Sequence, residues 1–263
     1  MIFKEFGNKN KPVMIFLHGG GLSWWSLKPQ IEALKNDYFI VTPIIDGHGD
    51  DWNNTFISIE KSAEGVIQYI KNNYKGKVFA ICGLSIGAQI VVEILSQEGD
   101  ITEYAVIESA LVYPMKMATK LTVPMYNLCY GLIKKRWYAK LQAKTLNVPE
   151  ELFEAYYMDS SRMTKESLIN ITKSNGGYSL PSTLGNTKAK TLILVGDKEL
   201  SVMKKSARLL HHTIKGSYLK VIEKSGHGEI SLIHTDSYID LLQGFFVNEK
   251  ISGFTNAAMN NSI

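Results

Sequence analysis

The sequence predicts an α/β protein: a mostly parallel, doubly wound sheet with an inserted helical cap. Three observations carry this. Strand-length apolar runs alternate with stretches of helical period along most of the chain. Most of those runs are continuously apolar, as strands covered on both faces must be. One long segment, residues 112–184, contains no strand-like run.

The strands are read in order as VMIFL (Val13–Leu17), YFIVTP (Tyr38–Pro43), KVFAIC (Lys77–Cys82), YAVIE (Tyr104–Glu108), TLILVG (Thr191–Gly196) and YLKVIE (Tyr218–Glu223). Between them, Ile59, Ala63, Val66, Ile67 and Ile70 fall on one helical face. Val202, Ser206, Leu209 and Leu210 repeat the pattern, as do Tyr238, Leu241, Leu242 and Phe245. Strands joined through helices imply right-handed crossovers. Ligands then bind beyond the carboxyl ends of the strands. Residues 1–111 and 185–250 are assigned to the core and 112–184 to a cap over those strand ends. The polar, small-residue tail 251–263 is expected to be loosely ordered.

Composition narrows the function. At 263 residues, the chain has length for one large domain with an insertion. A 45% apolar and 21% charged content is that of a water-soluble globular chain. The net charge of +4 comes without a basic stripe interleaved with aromatics, so nucleic acid is not an expected partner. The run KKRW (Lys134–Trp137) reads as a solvated helix face. Two cysteines, Cys82 and Cys129, are too few for a disulfide framework and read as free thiols. No apolar run reaches the roughly 20 residues that cross a bilayer, and no secretory leader is evident. The expected location is cytoplasmic, without stable membrane insertion; the oligomeric state is left open.

The chemistry is concentrated at strand ends. Gly83-Leu84-Ser85-Ile86-Gly87 joins KVFAIC to the helical AQIVVEIL. A serine at such a tight turn is lifted out of the sheet, beside the first amides of the following helix. Small flanking residues are needed because a Cβ there would meet the neighbouring strand and helix. A serine hydroxyl needs a base, and the base an orienting acid. His227, between glycines after YLKVIE, is the candidate base. His211 and His212 sit within a helical run, and His234 follows no strand. Asp197, in the loop after TLILVG, is favoured as the acid over Glu108 and Glu199. The glycines of HGGG (His18–Gly21) expose amides that suit an oxyanion hole. His18 buttresses that loop, and DGHGD (Asp46–Asp50) is a structural turn. His48, Asp50 and Asp51 lack metal-ligand spacing, and no metal is assigned.

LHGGG, DGHGD, GLSIG, VGDKE and SGHGE together resemble the α/β-hydrolase superfamily, from about Pro12 to Phe246. The resemblance implies an eight-stranded sheet, a Ser85–His227–Asp197 triad and an oxyanion hole from the amides of Ile86 and Gly20. The first hairpin of that fold must be short here, with IFKEFG supplying one of its strands. The expected function is a serine hydrolase that cleaves a small, apolar carboxylic ester or thioester through an acyl-enzyme, with no cofactor. An acyltransferase, a carbon–carbon bond hydrolase and a ligand receptor of the same fold are the alternatives. Trp24, Trp25, Met115, Met117, Met125, Tyr126, Tyr130 and Trp137 are expected to form the acyl pocket.

Overall fold

The computed structural model describes residues 1–247 and 255–256, without the side chains of residues 116–119, 255 and 256. Its strands are β1 (Ile2–Phe6), β2 (Val13–Leu17), β3 (Phe39–Ile44), β4 (Val78–Leu84), β5 (Thr102–Glu108), β6 (Lys190–Gly196), β7 (Tyr218–Ile222) and β8 (Thr255–Asn256). They form one sheet in the order β1-β3-β2-β4-β5-β6-β7-β8. β2 to β7 run parallel; β1 pairs antiparallel with β3, and β8 with β7. All six strands read from the sequence are present. IFKEF also forms a strand, but it crosses to β3 (Ile2 opposite Ile44, Phe6 opposite Ile40) rather than making a hairpin with β2. β2 already has β3 and β4 on its two edges. Of the tail 251–263, only Thr255 and Asn256 lie within the described residues.

The helices are α1 (Lys28–Leu34), α2 (Ile59–Asn73), α3 (Ile86–Gln97), α4 (Lys116–Cys129), α5 (Arg136–Thr145), α6 (Phe153–Arg162), α7 (Lys165–Gly177), α8 (Ser201–Thr213), α9 (Glu229–Leu232) and α10 (Thr235–Val247). Both faces of the sheet are covered, which explains the continuous apolar runs. Ile15, Leu17, Ile81, Ala105, Ile107 and Ile193 pack with α2, α3 and α8 on one face. Met14, Phe16, Ala80, Cys82, Val106 and Leu192 pack with α1 and α10 on the other. Cys82 and Cys129 are free thiols.

α4 to α7 fill the chain between β5 and β6, with no strand among them. Their core joins Ala139, Ala143, Phe153 and Tyr156 to Leu22, Trp25, Leu84 and Leu232 of the sheet domain. Hydrogen bonds pin this layer down. Ser167 Oγ accepts from the Phe56 amide at 3.2 Å, and Ser174 Oγ from the Ile59 amide at 3.1 Å. Asn147 Nδ2 donates to the His227 carbonyl at 2.9 Å.

Backbone passes very close to backbone at the turn between β4 and α3. A Cβ on Gly83 would stand 2.5 Å from the Gly87 carbonyl oxygen. One on Gly87 would stand 2.5 Å from the Leu17 oxygen and 2.6 Å from that of His18. Main chain cannot swing aside as a side chain can. Gly87→Ala is therefore expected to cost ~1–3 kcal/mol, as overpacking does, read as a lower urea midpoint. Gly131→Ala, with nothing within 4 Å of its added methyl, should stay within about 0.5 kcal/mol of the parent. Equal midpoints for the two variants would show that the close approach is not what demands glycine.

Candidate active site

Ser85 stands at that turn with φ 56° and ψ −117°, a conformation costing ~1–3 kcal/mol outside glycine. Two main-chain bonds hold it. Its amide donates to the Glu108 carbonyl at 2.9 Å, and its own carbonyl accepts from the Gln89 amide at 3.0 Å. The hydroxyl makes no capping bond to α3. Ser85 instead lines two cavities. The first, of about 380 Å3, also contains His227, Ser109, Glu199, Leu111, Met115 and Met203. The second, of about 290 Å3, contains Gly20, Gly21, Tyr126, Leu146, Tyr156 and Met163. Asn175 borders both. It is fixed by the fully buried Gln89, which donates to its carbonyl at 3.0 Å and accepts from its Nδ2 at 3.1 Å.

The carboxylate that meets His227 is Glu199, not Asp197. His227 Nδ1 lies 2.8 Å from Glu199 Oε2. Glu199 Oε1 accepts from Ser109 Oγ at 2.7 Å and from the Gly196 amide at 2.8 Å. Burial pushes the Glu199 carboxyl up, but the bonds from His227, Gly196 and Ser109 outweigh it and hold it below the usual range. Against that carboxylate Nδ1 is the ring nitrogen placed to donate.

Asp197 is exposed and points elsewhere. Its Oδ1 accepts from the Ser225 amide at 3.1 Å. Backbone bonds, that of Lys224 foremost, lower its carboxyl. The turn itself explains the swap. The amides of Asp197 and Lys198 donate across to the Ile222 and Ser225 carbonyls, and Glu199 N turns back to Gly196 O at 3.2 Å. This folds the third residue of the loop, not the first, over the strand ends. Gly196 allows it, since a Cβ there would lie 2.2 Å from the Ser225 oxygen.

Ser109, Asn175 and Gly196 were not foreseen. Ser109 carried one signal, its place directly after a strand; its φ of 56° turns its hydroxyl to Glu199. The pocket expectations divide. Tyr126 lines the second cavity and Met115 the first. Trp24 stacks on Phe6 with Lys4 and Lys28 over its ring. Trp25 is buried in the core of the helical layer and donates to Asp159 at 2.6 Å. Tyr130 donates to the Met163 carbonyl. Met125 and Trp137 face outward. None of these five borders either cavity; amphipathic helices put large apolar residues on more than one side. The Met117 side chain lies outside the described residues.

The glycine loop sits against α3: a Cβ on Gly20 would be 3.6 Å from Ile86 Cγ2. His18 holds it in place, with Nδ1 on the Gly19 carbonyl at 2.9 Å and Nε2 accepting from the Ile45 amide at 3.1 Å. His48 packs edge-on to His18 at 5.3 Å. Among the described residues, no group of three or more His, Cys, Asp or Glu side chains could hold a metal ion.

Searched by sequence, the chain matches no protein-family model and no curated protein. Its structure, however, is similar to many solved ones. Against an esterase from Exiguobacterium antarcticum the TM-score is 0.76 at 18% identity, covering 94% of this chain and 95% of that one. Against the enol-lactonase of Burkholderia xenovorans LB400 it is 0.76 at 16%, covering 94% and 96%. Against a bromoperoxidase from Bacillus anthracis it is 0.74 at 17%, covering 94% and 95%. The chain has the α/β-hydrolase fold. Among the described residues no helix is long and apolar enough to cross a membrane.

Three buried groups make stability depend on pH. Burial, and for His18 the neighbouring His48 ring, lower the two imidazoles to about 3 (His18) and about 4 (His48). Unfolded, both protonate near their ordinary 6.5. Their contribution is complete above that pH and is lost as pH falls toward the folded values. Glu108 acts oppositely. Burial raises its carboxyl from an ordinary 4.5 to about 7, so its contribution is lost as pH rises through that span. Between these limits two histidines outweigh one carboxyl, and acidification destabilises. His48→Gln should flatten the slope of melting temperature against pH, and Glu108→Gln should steepen it. Parallel slopes for parent and both variants would refute the assignment.

Proposed function

We propose that the chain is a serine hydrolase that cleaves a carboxylic ester or thioester through an acyl-enzyme. One observation carries this reading: Ser85, on its strained turn, shares a cavity with His227, whose far nitrogen is fixed by the buried Glu199 carboxylate. In this scheme Ser85 Oγ attacks the acyl carbon and its proton passes to His227 Nε2. Glu199 holds the Nδ1 proton and stabilises the ring when it becomes positive. The amides of Ile86 and of Gly20, which borders the Ser85 cavity, are assigned to the developing oxyanion. As the acyl–oxygen or acyl–sulfur bond breaks, the protonated ring gives its proton to the leaving oxygen or sulfur. A water, activated by the same ring, releases the acid and restores Ser85. The scheme needs no metal or organic cofactor.

The solved structures of similar fold include an esterase and an enol-lactonase, which makes acyl–oxygen cleavage the natural reaction class. The two cavities that meet at Ser85 suit a substrate with an apolar group on each side of the scissile bond. Tyr126, Tyr156 and Met163 line one side; Leu111, Met115 and Met203 line the other.

A fluorophosphonate probe is expected to label Ser85 alone. Ser85→Ala should abolish labelling and turnover of p-nitrophenyl esters without changing the melting temperature. Labelling of the variant at another serine would sink the assignment. The acid is tested separately: Glu199→Gln should cost about 10⁴ in kcat, as loss of a triad carboxylate charge does. Asp197→Asn should stay within a few-fold of the parent. The reverse ranking would return the role to Asp197. Product analysis with an added alcohol separates hydrolysis from acyl transfer.

A further inference from the structure

The helical layer carries charge and exposed apolar surface in a pattern the proposed reaction does not use. Between Glu108 and Glu150 the chain has no acidic residue but seven basic ones: Lys116, Lys120, Lys134, Lys135, Arg136, Lys140 and Lys144. Residues 112–184 hold 10 Lys or Arg against 5 Asp or Glu, a net +5, while the whole chain is 29 against 25, or +4. The rest of the protein is thus at −1, by difference. All the net positive charge sits in this layer.

The same segment faces water with its apolar side. Leu121, Pro124, Met125 and Leu128 of α4 fall on one helical face, and all four are exposed, with Leu121 64% and Leu128 86% accessible. The opposite face, Thr122 and Tyr126, is turned inward. On α5, Trp137 and Leu141, 59% and 58% accessible, alternate with Lys140 and Lys144, while Ala139 and Ala143 face inward. A solvated helix face would have its apolar residues inside. Glu150 and Glu154 border the same groove as Lys140, Leu141 and Lys144, but the cations outnumber them, and apolar side chains set outward in an excess of cations are the pattern of a surface resting in the interface of an anionic bilayer. Arg136 is paired through both terminal nitrogens with Glu154, which leaves the lysines as the main cationic groups.

We infer that the outer face of α4 and α5 docks peripherally on anionic lipid membranes, with Leu121, Met125, Leu128, Trp137 and Leu141 entering the interface and the lysines facing the headgroups. The assignment is independent of the chemistry at Ser85. A membrane is favoured over a second copy of the chain because a two-fold interface would set this excess of cations against itself, and Glu154 is already taken by Arg136.

Co-sedimentation of the full chain with vesicles tests it. One set is phosphatidylcholine alone; the other contains roughly a third phosphatidylserine. Binding is expected to favour the anionic vesicles by at least about tenfold and to weaken between roughly 0.1 and roughly 0.5 M salt. Lys135→Glu with Lys144→Glu should lower it by more than about tenfold, since each lysine near such a surface contributes roughly fivefold. Leu121→Ser with Leu128→Ser should lower it at both salt concentrations. Vesicles should shift tryptophan emission to the blue in the parent but not in Trp137→Phe. Circular dichroism and melting temperature confirm that each variant is folded. Equal binding to both vesicle types, or none to either, overturns the inference. So does a dimer in sedimentation velocity that Leu128→Ser dissociates, because the stripe is then covered by a second copy.

Discussion

The buried carboxylate of Glu199 is the interaction on which the rest of the site depends. A carboxylate out of contact with water is costly unless its oxygens are hydrogen-bonded. Here three strand ends supply the bonds. Gly196 closes β6, Ser109 follows β5, and His227 lies in the loop after β7. Removing any one leaves a buried acceptor short of a partner, so the loops hold each other in register. The same arrangement orients the imidazole. With one oxygen taken by Gly196 and Ser109, the other is left for Nδ1, and the ring's far edge is turned to the cavity shared with Ser85. Charge, tautomer and loop geometry therefore have one common cause.

The sheet imposes the second constraint. Ser85 and Ser109, one residue beyond β4 and β5, both have φ of 56°. Each is held by a main-chain bond to the next strand, Ser85 N to Glu108 O and Ser109 N to Leu194 O, both 2.9 Å. The ladder thus extends one residue past the strands and supports the strained backbone it needs. Neither serine could be moved by one position without turning its side chain to the other face.

Much of this was legible in the sequence, because it followed from local pattern. Continuous apolar runs such as VMIFL marked strands covered on both sides, and GLSIG marked a turn where only glycine fits on either flank. The carboxyl that meets His227 was not legible. Asp197 and Glu199 lie two residues apart in one loop, and only the fold of that loop decides which is turned inward; strand-end position favours both equally. Local pattern also ranked Trp24, Trp25, Met125 and Tyr130 with Tyr126. A large apolar side chain near a strand end satisfies a core, a surface stripe or a cavity alike, and their separation needs tertiary packing. IFKEF showed its strand character but not its partner, since pairing with β3 depends on β2 being already flanked.

The helical layer joins these two levels. Its inner side supplies Tyr126, Tyr156 and Met163 to the cavity at Ser85, and Asn147 ties it to the carbonyl of His227. Its outer side carries the exposed leucines and the lysines. A helix that buried only one apolar face would need polar residues on the other to stay in water. On α4 they are outnumbered: Leu121, Pro124, Met125 and Leu128 are exposed beside Lys120 and Asn127, while Tyr126 reaches inward to Thr172 at 3.1 Å. A single helix thus separates the candidate catalytic cavity from the cationic, apolar surface. Under the two proposals together, α4 would stand between a docked bilayer and the cavity that Tyr126 lines.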